Sequence, residues 1–394
     1  MKEQSSLQKV VSRMKEKGMD LAVLTNASNI RYVSGFDMPA NAGWMGDVSN
    51  GLPMAAAVVS AAEEEIFLVA SDLYRNMVLR TGIMDGEFYR SFTHLEENDP
   101  DTNFAEALQK TLEKAGDGKE KPIVGIEPND TTLAVAEQIK KVFPACSFEN
   151  VSQIIKDSRY IKTLEDIRGL KEAARAADAA QIRLYEISKT EGDYTELDIW
   201  YEVQKAASLA VGCPVPFVGE LVTGARTGLS DYPLGPTTRK VEKGDIAIMD
   251  ISPKVNGYWG DCSNSVVFWK EPDEEQIRYF RAVRDAYEAG FDAIRPGVKF
   301  NEVNRIMEEQ YKKHGLTFCS YQGHQIGCNV NEKPRFTYVD DSVLEENMVV
   351  CIEPQMYTGK AGKTGVRLER MLHVTGNGAV ELNRFPWGLD MGIG

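Results

Sequence analysis

Long apolar runs are missing from this chain of 394 residues. The most apolar stretch, Met54 to Ala70, is broken by Glu63, Glu64 and Glu65, whereas a membrane-crossing helix needs about 20 apolar residues in succession. It reads as a strand, an acidic turn and a second strand, and no membrane association is expected. Met1 to Ser6 run straight into alternating charge without the apolar core of a signal peptide, so no export is expected either. Positive charge is in deficit: 45 Lys+Arg stand against 59 Asp+Glu, a formal net charge of −14, which argues against a nucleic-acid-binding surface. Cysteine is sparse and scattered (Cys146, Cys213, Cys262, Cys319, Cys328 and Cys351), with no C-x-x-C pair, in a chain too long to need disulfide staples. A reducing cytoplasm is the expected location. With 16 Pro, 33 Gly, 43% apolar and 26% charged residues, disordered and collagen-like classes are excluded. No repeat of fixed period and no low-complexity segment interrupts the chain.

The length suggests two domains. In the front half, residues 5–17 read as a helix, Leu21 to Leu24 as a short buried strand, Ala55 to Ser60 with Glu65 to Ala70 as a hairpin, and Ile123 to Ile126 as a further strand. Helix and strand alternate as in an α/β domain. Thr163-Leu164-Glu165-Asp166 then offers a capping-box start. Apolar residues recur at Leu164, Ile167, Leu170, Ala174, Ala177, Ala180, Leu184 and Ile187, the spacing of a long amphipathic helix. The domain boundary is placed just before it, giving domains 1–158 and 159–394. Further helices are expected over Thr195 to Val211, Asp273 to Ile294 and Asn301 to His314, the last closed by Gly315, with strands and hairpins between them.

The chemistry-bearing segment is Asp245-Ile246-Ala247-Ile248-Met249-Asp250-Ile251-Ser252-Pro253, a turn at Lys254 to Gly257, then Tyr258-Trp259-Gly260-Asp261-Cys262-Ser263. Asn-Gly between apolar runs is a strong hairpin signal. A turn centred between Val255 and Asn256 sets Asp250 directly opposite Asp261; one centred on Asn256-Gly257 sets them diagonally. Both put the two carboxylates on one face, Cβ atoms roughly 5–8 Å apart. Like charges there destabilise a sheet unless a cation or a shared proton lies between them. Glu353 ends the apolar run Met348 to Ile352, Glu369 sits within Val366 to Leu372, and His324 lies between Gly323 and Gln325-Ile326-Gly327. Any one of these acids alone would be a surface charge or a structural ion pair. Together, one imidazole and four carboxylates suit a pair of divalent ions such as Mn, Co, Fe or Zn. His94, His314 and His373 stand outside the set. Gly362-Lys363-Thr364 is no phosphate loop, because the required earlier glycine is Tyr357.

With these residues in place the second half resembles the creatinase, prolidase and methionine aminopeptidase family and its pita-bread fold. The resemblance rests on Asp250 and Asp261 at eleven-residue spacing, Gly323 to Gly327, Ile352-Glu353-Pro354 and Gly365-Val366-Arg367-Leu368-Glu369. In the front half, Asn29-Ile30-Arg31-Tyr32-Val33-Ser34-Gly35-Phe36 is similar to the segment typical of creatinase, prolidase and aminopeptidase P. It implies a creatinase-like α/β N-terminal domain followed by an α+β pita-bread catalytic domain. It also implies two divalent ions per chain held by Asp250, Asp261, His324, Glu353 and Glu369, and a homodimer in which the loop carrying Trp44 reaches a partner's active site. The sequence also departs from the family. Asn331 stands where peptidases carry a histidine seven residues after the ligand histidine, Asp231 to Pro236 lack the family's other histidine, and Arg370 replaces an aspartate. An asparagine amide hydrogen-bonds but moves no proton near neutral pH.

The expected activity is that of a metal-dependent hydrolase. A hydroxide between the two metals attacks a carbonyl-type carbon, Glu353 shuttles the proton, and a C–N bond is cleaved in an Xaa-Pro peptide or a small amide or amidine metabolite. The missing histidines point towards the metabolite. Two other readings stay open: a lyase with Asp231 or Tyr232 as the base, and a binding protein on the same scaffold. Arg226, Asp231, Tyr232, Asn331 and Arg335 flank the motif positions that surround the pocket implied by the resemblance, and Arg226, Asn331 and Arg335, with Trp44 from the loop Gly35 to Gly51, are the candidate substrate contacts.

Overall fold

In the computed structural model, residues 4–39, 55–84, 86–116, 118–229, 235–317, 319–357 and 364–389 are described. The chain divides into two compact units, Met1–Thr163 and Leu164–Gly394. The expected division at 158/159 falls within the helix Ser152–Tyr160. Among the described residues no helix is long and apolar enough to cross a membrane.

The first unit is built on a mixed six-stranded sheet. Its strands are β1 (Leu21–Leu24), β2 (Ala55–Ser60), β3 (Glu65–Ser71), β4 (Gly86–Tyr89), β5 (Ile123–Ile126) and β6 (Ser147–Asn150), in the order β4-β3-β2-β1-β5-β6. Every residue of β1 and β2 is buried, as their unbroken apolar runs require of central strands. The acidic turn between β2 and β3 is closed by Glu64 with φ 57. Helix Pro100–Gly116 covers the sheet through Phe104, Leu108 and Leu112, which join Val23, Val58, Val69 and Val124 in one core. The Asn29–Phe36 motif is a short helix, Ala27–Ser34, capped by Asn26 and ended by Gly35 with φ 75. A buried carboxylate organises it: Glu127 accepts from the backbone N–H groups of Thr25 (2.6 Å) and Asn26 (2.8 Å) and from Asn29 Nδ2 (2.5 Å). Arg159 Nη1 in turn donates to Asn29 Oδ1 at 2.8 Å.

In the second unit the expected helices form at Leu164–Lys189, Glu196–Val211, Glu274–Ala293 and Phe300–Lys313. Thr195 and Asp273 close capping boxes with Asp198 and Gln276. Among the described residues three sheets lie between them. One orders β7 (Phe217–Thr223), β8 (Ile246–Val255) and β10 (Cys262–Val267) as β10-β8-β7, with β9 (Tyr258–Trp259) paired to β8. Another runs β12-β11-β13-β16-β17, from β11 (Tyr321–Gln325), β12 (Glu332–Thr337), β13 (Val349–Ile352), β16 (Arg370–Thr375) and β17 (Gly378–Glu381). The third is the pair β14 (Gln355–Met356) and β15 (Val366–Arg367). Helices and sheets mixed in this way match the expected α+β character of the second half.

Candidate metal centre

The hairpin of β8 settles which of the two turns the sequence uses. Val255 pairs with Tyr258 and Asp250 with Ser263, so the turn is centred on Asn256-Gly257, with φ 48 and 82 at the two positions, and the aspartates are diagonal neighbours. Both are buried, and Ser252 Oγ donates to Asp261 Oδ1 at 3.0 Å. The second sheet supplies the rest. His324 on β11 lies opposite Cys351 on β13, and Glu353 follows that strand on the same alternation. Gly323 makes this pairing possible: at φ 139, a Cβ there would lie 2.1 Å from the carbonyl oxygen of Cys351. Glu369 ties the two sheets together, since its backbone N–H donates to Ser263 O (2.9 Å) and its carbonyl accepts from the Ser263 N–H (3.3 Å).

The side chains converge. His324 Nε2 lies 3.4 Å from Asp261 Oδ2, 3.6 Å from Glu353 Oε1 and 3.8 Å from Glu369 Oε1. Its Nδ1 sits 2.8 Å from Gln325 O, so Nδ1–H donates to that carbonyl and the ring turns Nε2 towards the acids. The donor atoms fall into two groups, Asp261, His324, Cys351 and Glu369, and Asp250, Glu353 and Glu369, each within 4.8 Å. Glu369 belongs to both.

Crowding these acids in a dry site is costly. Burial first, then the charges of Asp261, Glu220 and Glu353, hold the Asp250 carboxyl well above its ordinary range, against the pull of Arg367. Glu369 is pushed up by burial and by Asp261, Glu353 and Asp250, and Glu353 by burial against the opposing His324 and Arg367. Burial disfavours the His324 imidazolium, yet the Asp261 hydrogen bond and the Glu353 charge outweigh it and raise its pKa to about 9. Negative charge stays in excess among the described residues, since Asp250, Asp261, Glu220, Glu353 and Glu369 face Arg367 and His324. Glu369 Oε1 is buried without a hydrogen-bond partner among the described residues and lies 3.8 Å from His324 Nε2. The residues present therefore fit divalent ions in charge, donor type and spacing.

The centre opens into a cavity of about 540 Å³, also lined by Tyr321, Asn331, Arg335, Gln355, Tyr357 and Arg367. A model of metallopeptidase family M24 matches residues 168–376, and one of the creatinase/prolidase N-terminal domain matches residues 7–161. The chain belongs to metallopeptidase family M24. It is similar to an Xaa-Pro dipeptidase of Pyrococcus furiosus, 26% identical over 96% of this chain and 97% of that one. It is also similar to a putative dipeptidase of Bacillus subtilis, 27% identical over 96% and 98%. Among solved structures, a dipeptidase of Pyrococcus horikoshii superposes with a TM-score of 0.76 at 25% identity, covering 98% of this chain and 99% of that one. As an M24 member the chain is a metal-dependent hydrolase with the pita-bread fold, and the buried acids and His324 form a set able to bind its divalent metal.

Two residues that give this M24 centre its charge balance carry no role in the sequence reading. Glu220 on β7 is the register partner of Asp250, which sets a further buried carboxylate beside it. Arg367 reaches between them: Nη1 contacts Asp250 and lies 2.8 Å from Glu220 Oε1, Nε donates to Gln355 Oε1 at 2.8 Å, and Nη2 donates to the Tyr357 hydroxyl. Position 367, two before Glu369 in an extended segment, was the available signal. Of the candidate substrate contacts, Asn331 and Arg335 line the cavity and are joined, Arg335 Nε donating to Asn331 Oδ1 at 2.7 Å and Asn331 Nδ2 to the Tyr321 hydroxyl at 2.5 Å. Arg226 is not brought to that lining. It pairs with the buried Glu196 and donates from Nη2 to Gly235 O at 2.9 Å. Arg370 packs its guanidinium 3.8 Å over the Trp387 ring and pairs with Glu381 at 2.8 Å. His314 and His373 bond Asp285 (2.6 Å) and Asn347 (3.1 Å). Trp44, Asp231 and Tyr232 lie outside the described residues.

Proposed function

We propose that this chain hydrolyses the C–N bond next to a carbonyl in a small, carboxylate-bearing substrate of dipeptide size, an Xaa-Pro peptide or an amide or amidine metabolite. The observation that carries this reading is the convergence of His324 and four carboxylates in the same cavity as Arg335. Asp250, Asp261, His324, Glu353 and Glu369 hold two divalent ions, drawn from Mn, Co, Fe and Zn. The ions, when bound, supply the Lewis acidity that brings a water pKa towards ~7 and polarises the scissile carbonyl. Glu353, whose carboxyl holds its proton more tightly than an ordinary glutamate, takes a proton from the attacking water and returns it to the leaving nitrogen. Tyr321 lines the same cavity and draws the Glu353 carboxyl back towards its ionised form, against the effect of burial. Among the described residues Arg335 bonds Asn331 through Nε, and the rest of its guanidinium serves the substrate carboxylate. Asn331 donates a hydrogen bond but transfers no proton, which favours substrates whose leaving group needs little acid assistance.

Kinetics on manganese- and zinc-loaded protein test this, with Xaa-Pro dipeptides beside small amides and cyclic amidines. A charged hydrogen bond is worth about 1.5–3 kcal/mol, so amidating the substrate carboxylate lowers kcat/KM by about tenfold to a hundredfold, and Arg335→Met does the same to the free acid alone. Turnover indifferent to both changes would overturn the reading. An unsaturated product without solvent oxygen would instead indicate elimination, with Asp231 or Tyr232 as the base. A reducing cytoplasm and a homodimer complete the proposal. Light scattering that gave only the 43.8 kDa monomer at working concentration would refute the dimer.

A further inference from the structure

The donor group around His324 contains a sulfur that the five-residue set does not use. Cys351 is fully buried on β13 and is the register partner of His324 on one side and of Met371 on the other. Directly paired residues of antiparallel strands project from the same face, and so do residues two apart along one strand. His324, Cys351, Glu353 and Glu369 therefore issue from one face of one sheet, and Cys351 Sγ lies within 4.8 Å of the donor atoms of Asp261, His324 and Glu369. The thiol is not alone there, because the unpartnered Glu369 Oε1 points into the same space. A buried cysteine more often packs as a small apolar group, but such packing needs no ring of acids around it.

We propose that Cys351 is an additional ligand of the centre, its Sγ joining Asp261, His324 and Glu369 on one ion and giving the site a preference for zinc, cobalt or iron over manganese. This rests on the proposed metal centre. On binding, the Sγ–H proton passes to water as the sulfur–metal bond forms. One thiolate among oxygen and imidazole donors shifts selectivity towards metals that accept soft ligands, since manganese and magnesium favour carboxylate and water.

Cobalt(II)-loaded full-length protein gives the test, with cobalt content measured in the same samples. The wild type is expected to show a near-ultraviolet thiolate-to-cobalt charge-transfer band that disappears in Cys351→Ser and survives in Cys319→Ser, the latter removing the thiol that lines the cavity itself. In competition dialysis, Cys351→Ser should lose at least about tenfold in zinc-over-manganese preference. Cobalt-replete wild type without the band overturns the inference with no variant needed, as does a band that persists in Cys351→Ser. In both cases the metal centre itself stands. Should wild type retain no more cobalt than Asp261→Ala, the metal centre and this ligand fall together.

Discussion

Replacing Arg367 by Met removes the guanidinium that lies between Asp250 and Glu220 while keeping most of the side-chain volume. All three groups are buried, Arg367 Nη1 is 2.8 Å from Glu220, and it contacts Asp250 directly. Taking one partner from a buried ion pair costs about 3–5 kcal/mol, because the other charge is left without compensation. Here two carboxylates lose the same partner and face each other across β7 and β8. For a unit the size of residues 164–394, each kcal/mol lowers Tm by about 2–4 °C, so the second unit should melt about 6–20 °C lower. Calorimetry on chelator-treated protein is the assay, since a cation bound by Asp250 would mask part of the loss. A double variant with Glu220→Gln should recover part of the difference, because one of the two charges is then gone. If Arg367→Met melts within about 2 °C of wild type, under about 1 kcal/mol, the carboxylates are neutralised by their own protons and the guanidinium is not their counter-charge.

Chelation of the wild type should lower the melting temperature of the second unit alone. Metal at a hundred times its Kd contributes about 2.7 kcal/mol, or about 5–11 °C, and identical melting with and without chelator would contradict a structural hold on the ions. Glu127→Gln puts an amide where two backbone N–H groups and Asn29 Nδ2 need a carboxylate, so urea unfolding should show the first unit weakened by about 1–3 kcal/mol; a loss below about 0.5 kcal/mol would mean water replaces it without penalty. If proton transfer limits peptide cleavage, Asn331→His should raise kcat on Xaa-Pro peptides by up to about 10². An unchanged kcat there would make the asparagine a neutral variation.

The centre was legible where chemistry is tied to local pattern. Acids in otherwise apolar extended segments contradict burial preference, so Asp250, Asp261, Glu353 and Glu369 announce themselves without tertiary knowledge. The parity of the hairpin put two of them on one face under both turns, and only the choice of register waited for Val255 opposite Tyr258. Arg367 and Glu220 were not legible as a pair, because their partnership crosses from β15 to β7 and leaves no spacing in the chain. In the first unit, the polar edge strand Ser147–Asn150, largely exposed, has no apolar alternation to read, and its existence is owed to β5 beside it. Helix Pro100–Gly116 is a different case: Phe104, Leu108, Leu112 and Ala115 step by three and four, and the front-half reading, built on strand runs, passes over that period.

The Asn256-Gly257 turn fixes more than the placement of two acids. Side chains of a strand alternate with a period of two, so with the turn held at two residues, inserting or deleting a single residue in either strand between Asp250 and Asp261 would send one of them to the opposite face of the sheet. A two-residue change would preserve the face but slide Asp261 one pair along, away from Ser252 and His324. Asn256 itself is exposed and open to exchange for residues that accept positive φ. The hairpin is therefore open to exchange of residues at its tip, while any change of length has to be taken up in the turn and not in the strands.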